Sequence, residues 1–186
     1  HGLNTLEHQP AKVMAMEGHF QSHPDGAPLI LFGWPDQSAA EVKYAIQIPK
    51  ASSLILKHSP DAPLAGLQTV PRDNWPNVPL VFWAFRIMVG IGFLMLGIGL
   101  VSLLARWRGT LYRWRSLHLY ALAMSPAGFV AVLAGWTTTE AGRQPFTVWG
   151  LLRTADSASP LATPAVASSL LAFVIVYFIV FSMGVL

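Results

Sequence analysis

Three long apolar runs fill the second half of the chain, at about Val78–Ala105, Ser116–Thr139 and Pro164–Leu186. Each meets the ~20 residues that a helix needs to cross the hydrocarbon core while satisfying its own backbone. The middle run contains Pro126, which a membrane helix tolerates with a kink when its neighbours satisfy the freed carbonyl. Residues 1–77 read differently: short apolar clusters such as Pro28–Phe32 alternate with Pro, Gly, His and charge, and none is long enough to span. The pattern predicts an all-α integral membrane protein, with three transmembrane helices of a larger helical bundle over residues 78–186. An external loop segment over residues 1–77 precedes them. Gly90, Gly92, Gly97 and Gly99 in the first helix predict close approach by neighbouring helices.

Composition agrees with that picture. The 186 residues include few charged ones and no cysteine, and the mean hydropathy is positive, as in membrane proteins. Without cysteine, thiolate metal sites, iron–sulfur centres and disulfides are excluded within this sequence. The sequence opens at His1 with no basic, then apolar, signal pattern and stops at Leu186 inside an apolar run, so it is expected to be a piece of a longer polypeptide.

Charge sets the orientation. Ala105–Arg115, A-R-W-R-G-T-L-Y-R-W-R, holds four arginines and no acidic residue. The positive-inside rule makes residues 106–115 cytoplasmic, with Trp and Tyr at headgroup level. Residues 1–77 and 140–160 then fall outside, and the third helix returns inward. The excess positive charge is accounted for by this loop, so no nucleic-acid partner is expected.

Ionisable groups within apolar runs cost about 2.5–3.5 kcal/mol at a helix centre on insertion scales, so each calls for a reason. Arg86, in W-A-F-R-I-M-V-G, lies about two turns into the first run. It either snorkels to the interface or serves a site. Met88 follows two positions on; a thioether among Leu, Ile and Phe is either packing or an axial haem ligand. Consecutive helical residues turn by ~100°, so Arg86 and Met88 face different sides. Glu140 and Arg143 form an i, i+3 pair at the end of the second run, where Gly142 is a candidate terminator and Pro145 prevents continuation. They are either an interfacial ion pair at a capped end or a metal-ligating or proton-carrying carboxylate steadied by its arginine. Lys12 and Glu17, five apart, would lie ~140° from one another on a helix, which predicts two independent contacts rather than a pair. No H-E-x-x-H spacing occurs among the histidines, so a zinc hydrolase is disfavoured. No Gly-rich nucleotide loop or nucleophile elbow is present.

Five segments occur in order: Q-P-A-K-x-x-A-x-E at Gln9–Glu17, F-G-x-P-D at Phe32–Asp36, A-I-x-I-P at Ala45–Pro49, F-R-I-M-V at Phe85–Val89, and G-W-x-x-x-E-x-G-R-Q-P at Gly135–Pro145. Together they closely resemble the C-terminal portion of subunit I of the cytochrome bd-type quinol oxidases. The short stretch between Ala51 and Val78 is similar to the short quinol-loop branch that includes the cyanide-insensitive oxidases.

The resemblance implies an enzyme of the bacterial cytoplasmic (inner) membrane that oxidises ubiquinol or menaquinol at the external face and reduces dioxygen to water. Its cofactors would be a low-spin haem b, a high-spin haem b, and a haem d or further haem b. Lys12 and Glu17 match the quinol-binding and oxidising pair. Met88 matches the axial ligand of the low-spin haem b iron, Arg86 the arginine that favours that haem's reduced form, and Glu140 the ligand of the high-spin haem b iron. Arg143 is a candidate for steadying the haem's surroundings. Partners would be the remainder of subunit I, subunit II, quinol, dioxygen and the lipid bilayer. The family's two haem-ligating histidines have no counterpart here, so the chain alone is expected to be inactive. Methionine ligation raises a haem potential, and a nearby guanidinium favours the added electron. The competing reading is a transmembrane transporter or channel segment without haem, in which Arg86 and Glu140 line an ion path.

Overall fold

A computed structural model describes residues 2–157 and 160–185; His1 and Leu186, the last residue of the third expected span, lie outside them. The chain divides into two compact units, His1–Thr154 and Ala155–Leu186.

In the first unit, α1 (Gly2–His8) leads into α2 (Pro10–Glu17). Pro10 suits the first turn because its missing N–H is an orphan there. Gly18 ends α2 in the left-handed region (φ 76°), its N–H donating to the Met14 carbonyl, a conformation that favours glycine. It also admits Phe82: a Cβ at Gly18 would sit 2.8 Å from the ring.

The strands β1 (Leu29–Asp36) and β2 (Glu41–Ile48) form an antiparallel hairpin with register shifts near Phe32. Asp36 organises its turn, accepting from the Ser38 hydroxyl at 2.5 Å, the Ala39 N–H at 3.1 Å and Lys43 Nζ at 2.7 Å. The Lys43 bond, then those of Ser38 and Ala39, hold the Asp36 carboxyl well below the usual carboxylate range. This hairpin and α3 (Ala51–Lys57) are structure within the expected loop segment that its mixed pattern did not reveal.

The membrane part is helical, as expected. α4 (Val78–Trp107) runs 30 residues, ~45 Å at 1.5 Å per residue, and so exceeds the ~30 Å hydrocarbon core. Asn77 caps it by accepting from the Leu80 N–H at 3.1 Å, and Gln37 Oε1 accepts from the Val78 N–H at 3.0 Å. The middle run is two helices, α5 (Arg115–Ala123) and α6 (Ala127–Arg143). The break falls at Met124–Pro126, where proline removes a donor and crowds the preceding turn. Thr137, Thr138 and Thr139 donate their hydroxyls to the carbonyls four residues back, at 2.8–3.0 Å, so α6 carries these polar groups without orphaned donors. The small hairpin β3 (Phe146–Val148) and β4 (Leu152–Arg153) follows. In the second unit, α7 (Thr163–Val185) carries no charged residue, with Phe173, Tyr177 and Phe181 stacked one turn apart. Three helical stretches, Arg72–Trp107, Arg115–Arg143 and Thr163–Gly184, are long and apolar enough to cross a membrane.

The core of the first unit lies where α2 packs on α4. Ala11, Met14 and Ala15 meet Phe20, Leu67, Val78 and Val81, and a smaller cluster joins Val13 to Ala27, Leu56 and Leu64. The glycines of α4 do not make the close approaches here: a Cβ at Gly90, Gly92, Gly97 or Gly99 meets nothing within 4 Å among the described residues. The tight contacts are instead at Gly135 and Gly142 of α6.

Candidate functional site

α2 is the centre of the site because it packs against both α4 and α6 and presents its two ionisable residues to different neighbours. Lys12, 8% exposed, lays its stem on α6, where a Cβ at Gly142 would sit 2.9 Å from Lys12 Cγ. Gly142 is therefore not the helix terminator that its position before Arg143 suggests. It is buried inside α6, which runs on to Arg143 with Gln144 as its C-cap. Burial pushes the Lys12 amine below its ordinary pKa, the Arg143 guanidinium pushes the same way, and Glu140 opposes both.

Glu17 turns to the other side, so the two residues make the independent contacts expected from their spacing. It is 7% exposed, and its carboxylate accepts from the Ser52 hydroxyl at 3.2 Å. Burial raises its pKa above the usual carboxylate value, against the lowering effects of Arg86 and Ser52.

Arg86 does not snorkel. Nη1 donates to the carbonyls of Met16 at 2.7 Å and Phe82 at 3.0 Å, and Nη2 donates to the Ile30 carbonyl at 2.5 Å. Its guanidinium lies over the Phe82 ring, 3.2 Å from the centroid, while Nε is buried with no hydrogen-bond partner among the described residues. One side chain thus ties α4 to the end of α2 and to β1. Met88 faces elsewhere, as the helical angle requires: its sulfur packs on α6, 2.8 Å from where a Cβ of Gly135 would be.

These elements enclose a cavity of about 590 Å³, lined by Lys12, Glu17, Phe85, Met88, Gly135 and Thr138 among others. It brings together an amine, a carboxylate and a thioether from α2 and α4. Arg86 is outside its lining, as are Glu140 and Arg143, which pair with each other at the end of α6 as their spacing predicts. A larger concavity of about 990 Å³ follows the flank of α7, and Tyr177 is its one titratable side chain.

Sequence reasoning did not find Ser52, Gly135 or the burial of His19. Two hydroxyls beginning the otherwise apolar A-S-S-L-I-L stretch were the available signal for Ser52. His19 and His23 share an H-x-x-x-H spacing in a loop rather than on a helix; their rings meet edge to face at 5.0 Å. His19 Nε2 bonds the Pro28 carbonyl at 2.8 Å, and burial lowers its pKa to about 4.

No group of three His, Cys, Asp or Glu converges among the described residues, so these residues offer no closed metal-ligand set. What they do offer fits a haem held partly by other chain: one thioether lining the cavity, seated against Gly135 of α6, and an ammonium lining the same cavity from α2.

A profile of the cytochrome bd terminal oxidase subunit I family matches residues 1–186. The chain belongs to that family. The cytochrome bd-II ubiquinol oxidase subunit 1 of Escherichia coli K12 is 28% identical to it over 234 residues, covering 91% of this chain and 46% of that protein. The cytochrome bd ubiquinol oxidase subunit 1 of Bacillus subtilis 168 is 34% identical over 186 residues, 94% of this chain and 39% of that one. The bd oxidase structure from Geobacillus thermodenitrificans superposes with a TM-score of 0.72 at 34% identity, covering 99% of this chain and 42% of that chain. This subunit I sequence therefore spans less than half the length of the relatives it matches, and its apolar helices are those of a bacterial cytoplasmic-membrane protein.

Proposed function

We propose that this sequence is the C-terminal portion of a quinol:oxygen oxidoreductase subunit I, in which residues 1–77 and the outer ends of α4 and α6 form the quinol-oxidising side. The observation that carries this reading is the cavity that gathers Lys12, Glu17 and Met88. A quinol gives up two protons with its two electrons. Glu17, its pKa raised above the usual carboxylate value by burial, is suited to take one of those protons, because a raised pKa makes the carboxylate a stronger base. Lys12, its amine less firmly protonated than usual, holds a quinol oxygen.

Met88 would hold a low-spin haem b through its thioether, and Glu140 would hold a high-spin haem b with Arg143 steadying the surroundings. When bound, the haems, including a haem d or further haem b, supply one-electron chemistry and dioxygen reduction. Arg86, two positions from Met88 along α4 and with its guanidinium turned to the Met16, Phe82 and Ile30 carbonyls, would favour the reduced state through its fixed positive charge from the other side of the helix. The histidine ligands would come from the rest of subunit I, and subunit II completes the complex. In the membrane, residues 1–77 and 140–160 would face outward and 106–115 the cytoplasm.

The test uses the intact oxidase. Met88→Leu is expected to remove or shift the low-spin b band in a reduced-minus-oxidised spectrum while sparing the others; an unchanged spectrum refutes the ligand. Lys12→Ala or Glu17→Ala is expected to impair quinol turnover with spectra largely intact, and normal quinol kinetics would refute the pair.

A further inference from the structure

Ser52 and Ser53 are adjacent and almost fully buried, at 1% and 0% exposure, yet they do different things. Ser53 is spent on the backbone: its oxygen accepts from the Ala27 N–H at 2.7 Å and donates to the Ala62 carbonyl at 2.8 Å, which seats α3. Ser52 instead donates to Glu17 Oε2 at 3.2 Å. One turn further along α3, Ile55 and Leu56 line the cavity that Glu17 also lines.

The charged group acting on Glu17 is Arg86 of α4, but the hydrogen bonds of that guanidinium go to the Met16, Phe82 and Ile30 carbonyls. Glu140 and Arg143 of α6 act on Lys12, and His8 of α1 lies on the cavity wall. A hydroxyl is both donor and acceptor. It donates to a carboxylate and, after rotation, accepts from a carboxylic acid, so it can hold Glu17 before and after proton uptake.

We propose that Ser52 is a positioning residue for quinol oxidation, which keeps the Glu17 carboxyl aimed into the cavity through both of its protonation states. This rests on the proposed role of Glu17 as the acceptor of a quinol proton. Removing the hydroxyl takes away a bond to the ionised form, so the carboxylate becomes available only at higher pH.

The experiment is the pH profile of quinol turnover in the intact, membrane-reconstituted oxidase carrying Ser52→Ala, Ser52→Thr, Ser53→Ala or Glu17→Gln, each checked for an unchanged haem spectrum. Ser52→Ala is expected to lower turnover about tenfold near neutral pH and to move the acidic limb upward by about one pH unit. Ser52→Thr, which restores the hydroxyl, is expected to return the limb to its original place. Ser53→Ala is expected to lower thermal stability without moving the limb. An unmoved limb in Ser52→Ala, a Thr variant no better than Ala, or an equal shift in Ser53→Ala overturns the inference. Glu17→Gln separates the two levels. If it is impaired while Ser52→Ala behaves as the parent enzyme, the Ser52 inference alone fails; if it turns over quinol normally, the role of Glu17 fails and the inference falls with it.

Discussion

Lys12 rests on the bare Cα of Gly142, so the amine's position depends on a residue that has no side chain of its own. A Cβ at Gly142 would come within 2.9 Å of Lys12 Cγ and 3.4 Å of Cε, and the stem rather than the α6 backbone would give way. Gly142→Ala is therefore expected to displace the amine and raise the quinol KM by about tenfold, the scale of one misplaced polar contact. The haem spectrum should be unchanged. Steady-state kinetics with a soluble quinol analogue check this, and an unaltered KM counts against the placement of Lys12.

Gly135 stands in the same relation to Met88, with 2.8 Å between its absent Cβ and the thioether sulfur. Gly135→Val is expected to push that sulfur away from its seat and to shift or weaken the low-spin b band, leaving the other bands in place. Gly135→Ala should do the same to a smaller degree, because Met is flexible. A reduced-minus-oxidised spectrum of Gly135→Val identical to that of the parent would sink the link between this contact and the haem.

Much of this arrangement is legible in the sequence, because cost reveals it. An arginine inside an apolar run, or a carboxylate at its end, needs a partner, and Arg86 and Glu140 both have one. The separate contacts of Lys12 and Glu17 follow from their angle on a helix, whereas at Pro126 the pattern predicts only a kink in one span and the structure has two helices, Arg115–Ala123 and Ala127–Arg143. Other features depend on contacts between residues distant along the chain, which no local periodicity reports. Ser52 meets Glu17 from 35 positions away, and Gly142 looks like a terminator until Lys12 is seen lying on it. In the β1–β2 hairpin, β1 was hidden because Leu29–Phe32 is an unbroken apolar run followed by Gly33 and Pro35, whereas Val42, Tyr44, Ile46 and Ile48 of β2 do recur at every second position and were the available signal.

Arg86 holds the segment of residues 1–77 to α4 through carbonyls of two different elements, Met16 at the end of α2 and Ile30 in β1. Lysine keeps the charge but lacks the planar fork, so Arg86→Lys is expected to leave at least one buried carbonyl unpaired, at about 1–3 kcal/mol each. The variant complex should melt at a lower temperature and be cut faster by protease within residues 1–77. The positive charge on α4 persists, so any change in haem potential should be smaller than in Arg86→Gln. Equal proteolysis of parent and Arg86→Lys would show that the clamp does not hold the segment.

His19 gives a pH dependence whose sign is fixed by its burial. Its pKa is lowered from 6.5 to about 4. The unfolded imidazole therefore takes up a proton as the pH falls below 6.5, whereas the folded one stays neutral, donating from Nε2 to Pro28, until about pH 4. In that window the unfolded state binds more protons, so stability declines as the pH falls through it and levels off below. The loss is on the order of 3 kcal/mol in total. His19→Gln keeps an amide donor at the place of Nε2 and does not titrate in this range. Its melting temperature is expected to fall less than that of the parent complex on acidification from pH 7 to 4.5, and parallel curves for the two proteins would refute the assignment.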